Sequence, residues 1–263
     1  MDRVKDKVIW ITGASSGIGQ ELAYQLAEKG AVLILSARRT DKLKQIKEDI
    51  KNKYGAQALV YPLDVSDTDA VERAVAHVTD KIGQIDVLIN NAGFGHTETF
   101  LDYDFSRVER MFKVNVLGLM LMSQLVGKHM AKYRSGQIIN VASIAGKVAT
   151  PKSAVYSATK FAVIGFSNTL RLELKDHNII VTTVNPGPVD TEFFDEFDPE
   201  GEYLKNVSTV VLPVDYVASK TINAIGKQKR EVNMPRLLNA ASKVYTLFPE
   251  TGDKIVRTMF NRK

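Results

Sequence analysis

Tyr156 and Lys160 stand four residues apart in a segment patterned as a helix, so their side chains share one face. A tyrosine hydroxyl ordinarily ionises near a pKa of about 10. A neighbouring ammonium favours the phenolate and makes such a tyrosine a usable acid or base closer to neutral pH. Ser143 follows an apolar run a short way upstream, where its hydroxyl can hold a substrate oxygen. Taken alone, Tyr-x-x-x-Lys is common, and most such pairs decorate a surface. What gives this pair weight is the set of loops that precede it.

The first of these is Thr12-Gly13-Ala14-Ser15-Ser16-Gly17-Ile18-Gly19, between a short apolar run and a helical pattern. Its glycines permit a tight turn and close backbone approach to a ligand, and the following helix offers unpaired N–H groups to a pyrophosphate. Gly13, Ser15, Ser16, Gly17, Ile18 and Gly19 are therefore candidate cofactor contacts, against the alternative of a purely structural turn. The second apolar run ends Leu35-Ser36-Ala37-Arg38-Arg39. An NAD site usually carries a carboxylate here and an NADP site a basic group. No acid is present, so Arg38 and Arg39 read as a clamp for a 2′-phosphate. The competing reading, a solvated helix start, sets positive charge against the helix dipole. Asp64-Val65, after the third run, can meet an adenine amine or simply begin a helix. Asn90-Asn91-Ala92-Gly93 follows the fourth run. There Asn91, Ala92 and Gly93 leave room for a ribose, and the Asn side chains can brace a sheet.

The elements that must position these groups alternate regularly. Strands are predicted at Val8–Thr12, Ala31–Ser36, Ala58–Leu63, Val87–Asn90, Gln137–Ala142 and Ile179–Asn185. Helices are predicted at Ile18–Lys29, Asp41–Tyr54, Asp67–Ile82, Phe105–Lys132 and Ser153–Asp176, with Asp67 a candidate cap. Continuous apolar strands alternating with helices imply a doubly wound parallel sheet of the Rossmann type, covered on both faces. No repeat or linker interrupts the pattern, so residues 1–263 read as a single α/β domain. Ligands in such folds gather outside the carboxyl ends of the strands, and all the loops above share that edge.

Composition narrows the classes further. The chain has 263 residues, 44% of them apolar and 25% charged, and no cysteine, which excludes disulfides and thiol chemistry. The start, Met1–Lys7, is too charged for a secretory signal. The longest charge-free apolar-rich stretch, Val114–Gly127, has 14 residues, short of the roughly 20 that span a bilayer. A soluble, cytoplasmic protein is expected. Residues 227–263 hold nine Lys/Arg against three Asp/Glu, whereas residues 1–226 hold 26 against 27. A broad nucleic-acid footprint is therefore not expected. The basic tail, about 236–263, mixes this charge with Leu237, Leu238, Val244, Tyr245, Leu247, Phe248, Ile255, Val256, Met259 and Phe260. It reads as a tail packed on its own or a partner subunit, with a membrane-surface helix the less favoured reading. An insertion at about 188–212 carries Phe193, Phe194, Phe197, Tyr203 and Leu204. It reads either as an apolar cover over a bulky substrate, with Phe94 and His96 at the same mouth, or as ordinary packing.

Jointly, the glycine-rich loop, Asn-Asn-Ala-Gly, Ser143 and Tyr-x-x-x-Lys resemble the short-chain dehydrogenase/reductase family, from about residue 5 to about 235. The resemblance implies that Tyr156 is the general acid in reduction, that Lys160 lowers its pKa and binds the nicotinamide ribose, and that Ser143 orients the carbonyl. It makes Asn115 the fourth catalytic position, anchoring a water relay, where the residue itself suggests only a buried hydrogen bond. Asn185–Thr191 matches the loop at the nicotinamide end, so Pro186, Gly187, Val189 and Thr191 join the cofactor set, Val189 and Thr191 toward the carboxamide. NADP(H), no metal, and a homodimer or homotetramer built on the two long helices are implied. The expected activity is NADP(H)-dependent interconversion of a carbonyl and an alcohol, most simply reduction of a bulky or apolar ketone or aldehyde. A ketoacyl thioester reductase shares every motif, and an NADPH-sensing regulator without catalysis is the alternative of another class.

Overall fold

In a computed structural model, which describes residues 3–198, 201, 203, 205 and 210–260, the chain folds around one seven-stranded parallel sheet. The first half runs β1 (Val8–Thr12), α1 (Gly17–Glu28), β2 (Val32–Ala37), α2 (Thr40–Tyr54), β3 (Ala58–Pro62), α3 (Thr68–Ile82) and β4 (Val87–Asn90). The second continues through α4 (Phe105–Phe112), a π-helical turn (Lys113–Gly118), α5 (Leu119–Tyr133), β5 (Gly136–Val141), α6 (Ala154–Glu173), β6 (Ile179–Pro186) and α7 (Phe193–Phe197). It ends with α8 (Val214–Ile222), β7 (Glu231–Met234), α9 (Arg236–Leu247) and α10 (Pro249–Phe260). Leu204 and the side chains of Met259 and Phe260 lie outside the described residues.

The six expected strands fall within a residue of their predicted bounds, because each is an apolar run; five are buried on both faces, and the edge strand β3 is half-buried. Side chains alternate across the sheet. Ile9 and Ile11 of β1, with Leu33 and Leu35 of β2, enter one core with Leu22 and Leu26 of α1 and Leu43, Ile46 and Ile50 of α2. Trp10 and Ile34 point the other way, into a core with Val71, Val75 and Val78 of α3 and Met122, Val126 and Met130 of α5. Trp10 is fully buried, and its indole N–H donates to Ser36 Oγ at 2.9 Å, which satisfies the one polar atom it brings inside. The expected cap is present too: Asp67 Oδ1 accepts from Ala70 N at 2.9 Å.

The strand order is β3-β2-β1-β4-β5-β6-β7. The chain moves outward from β1 to β3, returns beside β1 as β4, then proceeds to β7. The reversal between β1 and β4 opens a crevice at the carboxyl edge, the place such folds offer to a ligand.

Two expectations change. The long helix predicted at Phe105–Lys132 is broken by the π turn at Lys113–Gly118, with Asn115 inside it. Such single turns insert one extra residue and recur at functional sites. The sequence pattern also missed β7, whose four residues alternate half-buried Glu231 and Asn233 with buried Val232 and Met234. An edge strand of that length, opening on a charge and stopped by Pro235, carries little periodic signal.

Candidate active site

The crevice between β1 and β4 is closed by backbone contact that only glycine permits. Gly13 has φ +66°, and a Cβ there would stand 2.8 Å from Ala92 Cα. Gly19 lies directly under the Gly13 carbonyl, with no space for a side chain. Thr12 and Asn91 stitch the two loops together. Thr12 Oγ1 accepts from Asn91 N at 3.0 Å and Ala92 N at 3.1 Å, and Asn91 Nδ2 donates to the Thr12 and Gly13 carbonyls. Thr12, quoted in the motif but given no role, is the hinge of this stitching. Beneath it, Asn90 Nδ2 donates to Ser123 Oγ and Asn140 Oδ1, both 2.9 Å, so the expected sheet brace is present.

Ser16 occupies the N-cap of α1 without a side-chain bond to the helix. Its hydroxyl instead accepts from Arg39 Nη2 at 2.5 Å, and Ser15 Oγ accepts from Arg39 Nε at 3.2 Å. Arg39 therefore stands over the glycine-rich loop, and both it and Arg38 beside it are exposed. Arg39 Nη1 also pairs with Glu192 at 3.1 Å, a partner 153 residues away that no local pattern reveals. Asp64 uses Oδ1 to accept from Ser66 N and Oγ. Burial opposes its ionisation, but those two bonds, and then the fields of Arg38 and Arg110, hold its carboxyl below the ordinary value. Val65 is buried, and its carbonyl lies against Gly118 of the π turn, where no Cβ would fit. Ile18 packs half-buried on the core.

The Ser143, Tyr156 and Lys160 side chains come together at the same edge, beyond β5. Ser143 hydrogen-bonds the Tyr156 phenol, and its Oγ accepts from Ala145 N at 3.0 Å. Lys160 Nζ sits 5.6 Å from the Tyr156 ring centroid and donates to the Val141 carbonyl at 3.1 Å. Lys160 is buried and Tyr156 half-buried, its phenol turned inward. Burial pushes the tyrosine's pKa well up, with the Ser143 bond opposing it, and takes the lysine down to about 8. Lys160, expected to depress Tyr156, is not among the influences on the phenol, whose upward shift comes from the loss of water around it.

That loss of water has a visible cause. Phe197 meets the Tyr156 ring edge-on at 5.2 Å, and Phe193 lies 5.7 Å away. Phe193 and Phe197 stack on each other at 5.1 Å, while Phe194 and Tyr203 pack behind them. Thr97 N and Oγ1 both donate to the Phe197 carbonyl, fastening α7 across the site. The insertion packs its aromatic rings on one another and on Tyr156, contacts that serve either reading of it, a cover or ordinary packing. An open cleft of about 500 Å³ beside it is lined by Phe94, His96, Arg107, Arg110 and Glu192, with Arg110 stacked 5.1 Å over Phe94.

Asn115 is buried, and its side chain is fully engaged. Oδ1 accepts from Phe94 N at 3.0 Å, and Nδ2 donates to Phe94 O at 2.8 Å and Thr159 Oγ1 at 3.2 Å. It ties the loop after β4 to the residue before Lys160. A Cβ at Gly93 would stand 3.1 Å from its Oδ1 and 3.7 Å from Lys160 Nζ. At the far side of the site, Pro186 O accepts from Ser143 Oγ at 3.4 Å, and Gly187 N donates to Met234 O at 2.7 Å. The Val189 side chain is buried in the core and its backbone bridges to Leu212, so a carboxamide contact would fall to its main chain. Thr191 abuts Gly17, which places it at the glycine-rich loop.

Comparison with known proteins fits this geometry. Residues 7–201 match the short chain dehydrogenase family. The human dehydrogenase/reductase SDR family member 7 is 39% identical over 209 residues, covering 77% of this chain, and this match spans 60% of that protein's length. The NADP-dependent 3-hydroxy acid dehydrogenase of Schizosaccharomyces pombe is 39% identical over 195 residues, 73% of this chain and 75% of that protein. Among solved structures, an alcohol dehydrogenase from Thermococcus sibiricus complexed with 5-hydroxy-NADP superposes with a TM-score of 0.79 at 26% identity, covering 88% of this chain and 96% of that one. A short chain dehydrogenase/reductase from Burkholderia phymatum in complex with NAD reaches 0.87 over 95% and 96%, at 24% identity a likeness of fold. The chain belongs to the short-chain dehydrogenase/reductase family of oxidoreductases.

Proposed function

We propose that this chain is an NADP(H)-dependent oxidoreductase that interconverts a carbonyl and an alcohol, working as a reductase of a bulky or apolar ketone or aldehyde. The observation that carries the reading is the joining of Ser143, Tyr156 and Lys160 at the carboxyl edge of the sheet, next to the glycine-closed crevice.

The residues present fit the cofactor. The first turn of α1 has no side-chain cap from Ser16, so its N–H groups remain for a phosphate. Gly93 keeps a side chain out of the space before Asn115 and Lys160. Arg39, with Arg38 beside it, would hold the 2′-phosphate, while Ser15 and Gly17 would line the pyrophosphate and Asn91 and Ala92 the ribose. NADP(H), when bound, supplies or accepts the hydride. Ser143 orients the substrate oxygen, and Tyr156 holds at its phenol oxygen the proton that this oxygen takes up in reduction. Lys160 sets positive charge beneath the ring, and Asn115 fixes the Phe94 backbone and Thr159 around it. Phe193 and Phe197 exclude water and give the substrate an apolar wall. The groove between α5 and α6, of about 670 Å³ and lined by Leu117, Phe166 and Leu170, is the surface on which a homodimer or homotetramer would form.

Similarity to the 3-oxoacyl-(acyl-carrier-protein) reductase of Aquifex aeolicus, 32% identical over 190 residues, supports a ketoacyl thioester reductase as the second reading. NADPH oxidation across a panel of apolar ketones, aldehydes and ketoacyl thioesters tests both. Preference for the apolar carbonyls supports the first, and oxidation with none would leave a nucleotide-binding regulator. Comparing the Michaelis constants for NADPH and NADH in the protein and in Arg38→Asp/Arg39→Asp tests the phosphate clamp. The variant should lose its preference for NADPH, and an unchanged ratio would remove Arg38 and Arg39 from that role.

A further inference from the structure

The two helices beyond β7 leave a stripe of large apolar side chains in water. The inner side of α9 is packed: Leu238 Cδ1 approaches Gly187, Ser242 is buried, and Tyr245 lies on Gly252 and donates to Asp253 at 2.6 Å. The outer side carries Leu237, Val244, Leu247 and Phe248, which are 70, 55, 73 and 62% exposed. Leu237, Val244 and Leu247, at i, i+7 and i+10, lie on one helix face, a row about 15 Å long at the rise of an α-helix, and Phe248 follows as the non-helical residue that ends α9. Ile255 of α10 is exposed as well. A contiguous apolar row of this kind marks an interaction surface.

Its chemistry is not only apolar. Arg236 and Lys243 are exposed and border the stripe, Arg236 next to Leu237 and Lys243 one turn before Leu247. Residues 227–263 carry nine basic residues against three acids. Two of those acids are engaged internally, Glu231 with Lys147 and Asp253 with Tyr245. Among the described residues no helix is long and apolar enough to cross a membrane. A second copy of this chain would bring the same basic surplus against itself. An anionic surface complements it, and a bilayer accepts a convex apolar row without a shaped pocket.

We propose that the α9–α10 hairpin seats the protein on an anionic lipid surface. The hairpin lies beside the mouth of the site: Leu238 rests on Gly187, and the Tyr245 hydroxyl interacts with the Ala149 backbone in the loop after Ser143. Seating therefore brings the catalytic edge close to the bilayer and supplies carbonyl compounds dissolved in lipid. This substrate consequence rests on the carbonyl-reductase reading, whereas the seating itself does not.

The test uses the full chain and sedimentation with vesicles of phosphatidylcholine, alone or mixed with phosphatidylglycerol. The protein should pellet with the anionic vesicles at low salt, stay in solution with the neutral ones, and be released by high salt. Arg236→Gln/Lys243→Gln should weaken the partition about thirtyfold, at roughly the strength expected of two basic side chains near a charged membrane. Leu247→Glu/Phe248→Glu should abolish pelleting while thermal melting and NADPH binding stay unchanged. Equal pelleting by this last variant, or failure of the protein to pellet with either vesicle, overturns the proposal. So does a dimer in sedimentation velocity that the variant dissociates, since a second copy then covers the stripe. Vesicle binding is read without turnover, so it stands or falls apart from the hydride chemistry. Faster reduction of a vesicle-dissolved ketone by the protein than by Leu247→Glu/Phe248→Glu is expected, and equal rates would remove the substrate consequence.

Discussion

α7 and α9 flank the same loop, Pro186–Thr191, and both are rich in large apolar residues, yet they face opposite surroundings. Phe194 and Phe197 of α7 are buried, and Phe197 packs edge-on against Tyr156. Leu237, Val244, Leu247 and Phe248 of α9 face water. The difference shows what apolar surface does in each setting. Beside Tyr156 it removes water and shifts a proton equilibrium. On α9 it adds nothing to the core and remains available to something outside the chain. Under the two proposals above, the segment about 188–212 acts on chemistry and the segment about 236–263 on location.

The largest effect should come from the buried side. Phe197→Ala removes a ring packed against Tyr156, Phe193 and Tyr203 and should cost about 3 kcal/mol in urea unfolding. It should also let water reach Tyr156 and lower the phenol's pKa, readable by ultraviolet titration. A loss below about 1 kcal/mol would make α7 a loosely held flap.

A smaller effect concerns Lys160, whose buried ammonium has its pKa taken from 10.5 to about 8. Above pH 8 the folded chain releases this proton while the unfolded chain keeps it until about 10.5. The unfolded state then binds more protons, so stability rises with pH in that window. Between pH 8 and 10 the protein should gain up to a few kcal/mol relative to Lys160→Met, measured as unfolding free energy at several pH values. Parallel curves for the two proteins would show that Lys160 is solvated. Tyr156, shifted upward by burial, works in the opposite sense above pH 10, so the comparison stops there.

The smallest effect belongs to α9. Leu247→Glu alters an exposed position and should change unfolding free energy by less than about 0.5 kcal/mol. A loss of several kcal/mol would mean that α9 is buried in the protein in solution, and the contrast with α7 would collapse.

Most of the sheet was legible because its strands are apolar on both faces and need no distant information. The glycine-rich loop, Asn90–Gly93, Ser143 and Tyr156/Lys160 were legible for a related reason: their chemistry is local, and the fold brings every strand's carboxyl end to one edge. What escaped depends on long-range contact. Arg39 meets Glu192 only because α7 folds back over the glycine-rich loop. β7 is a strand because β6 is there to pair with it. The π turn at Lys113–Gly118 adds one residue to a helix whose apolar pattern continues on both sides, with mid-helix Asn115 its only trace in the sequence. The proton affinity of Tyr156 followed its cover rather than its neighbour at i+4, and the cover lies 37 and 41 residues further along the chain, at Phe193 and Phe197.

The most direct measurement is NADPH oxidation with a responsive apolar carbonyl by the protein and by Tyr156→Phe, with NADPH binding followed separately by fluorescence. Phe keeps the ring that packs on Phe193 and Phe197 and removes only the hydroxyl that Ser143 holds. Turnover should fall by at least about a thousandfold, since both the proton donor and its hydrogen bond are lost, while NADPH binds as before. Turnover within a few fold of the original would contradict the assignment of Tyr156 as the acid of this site.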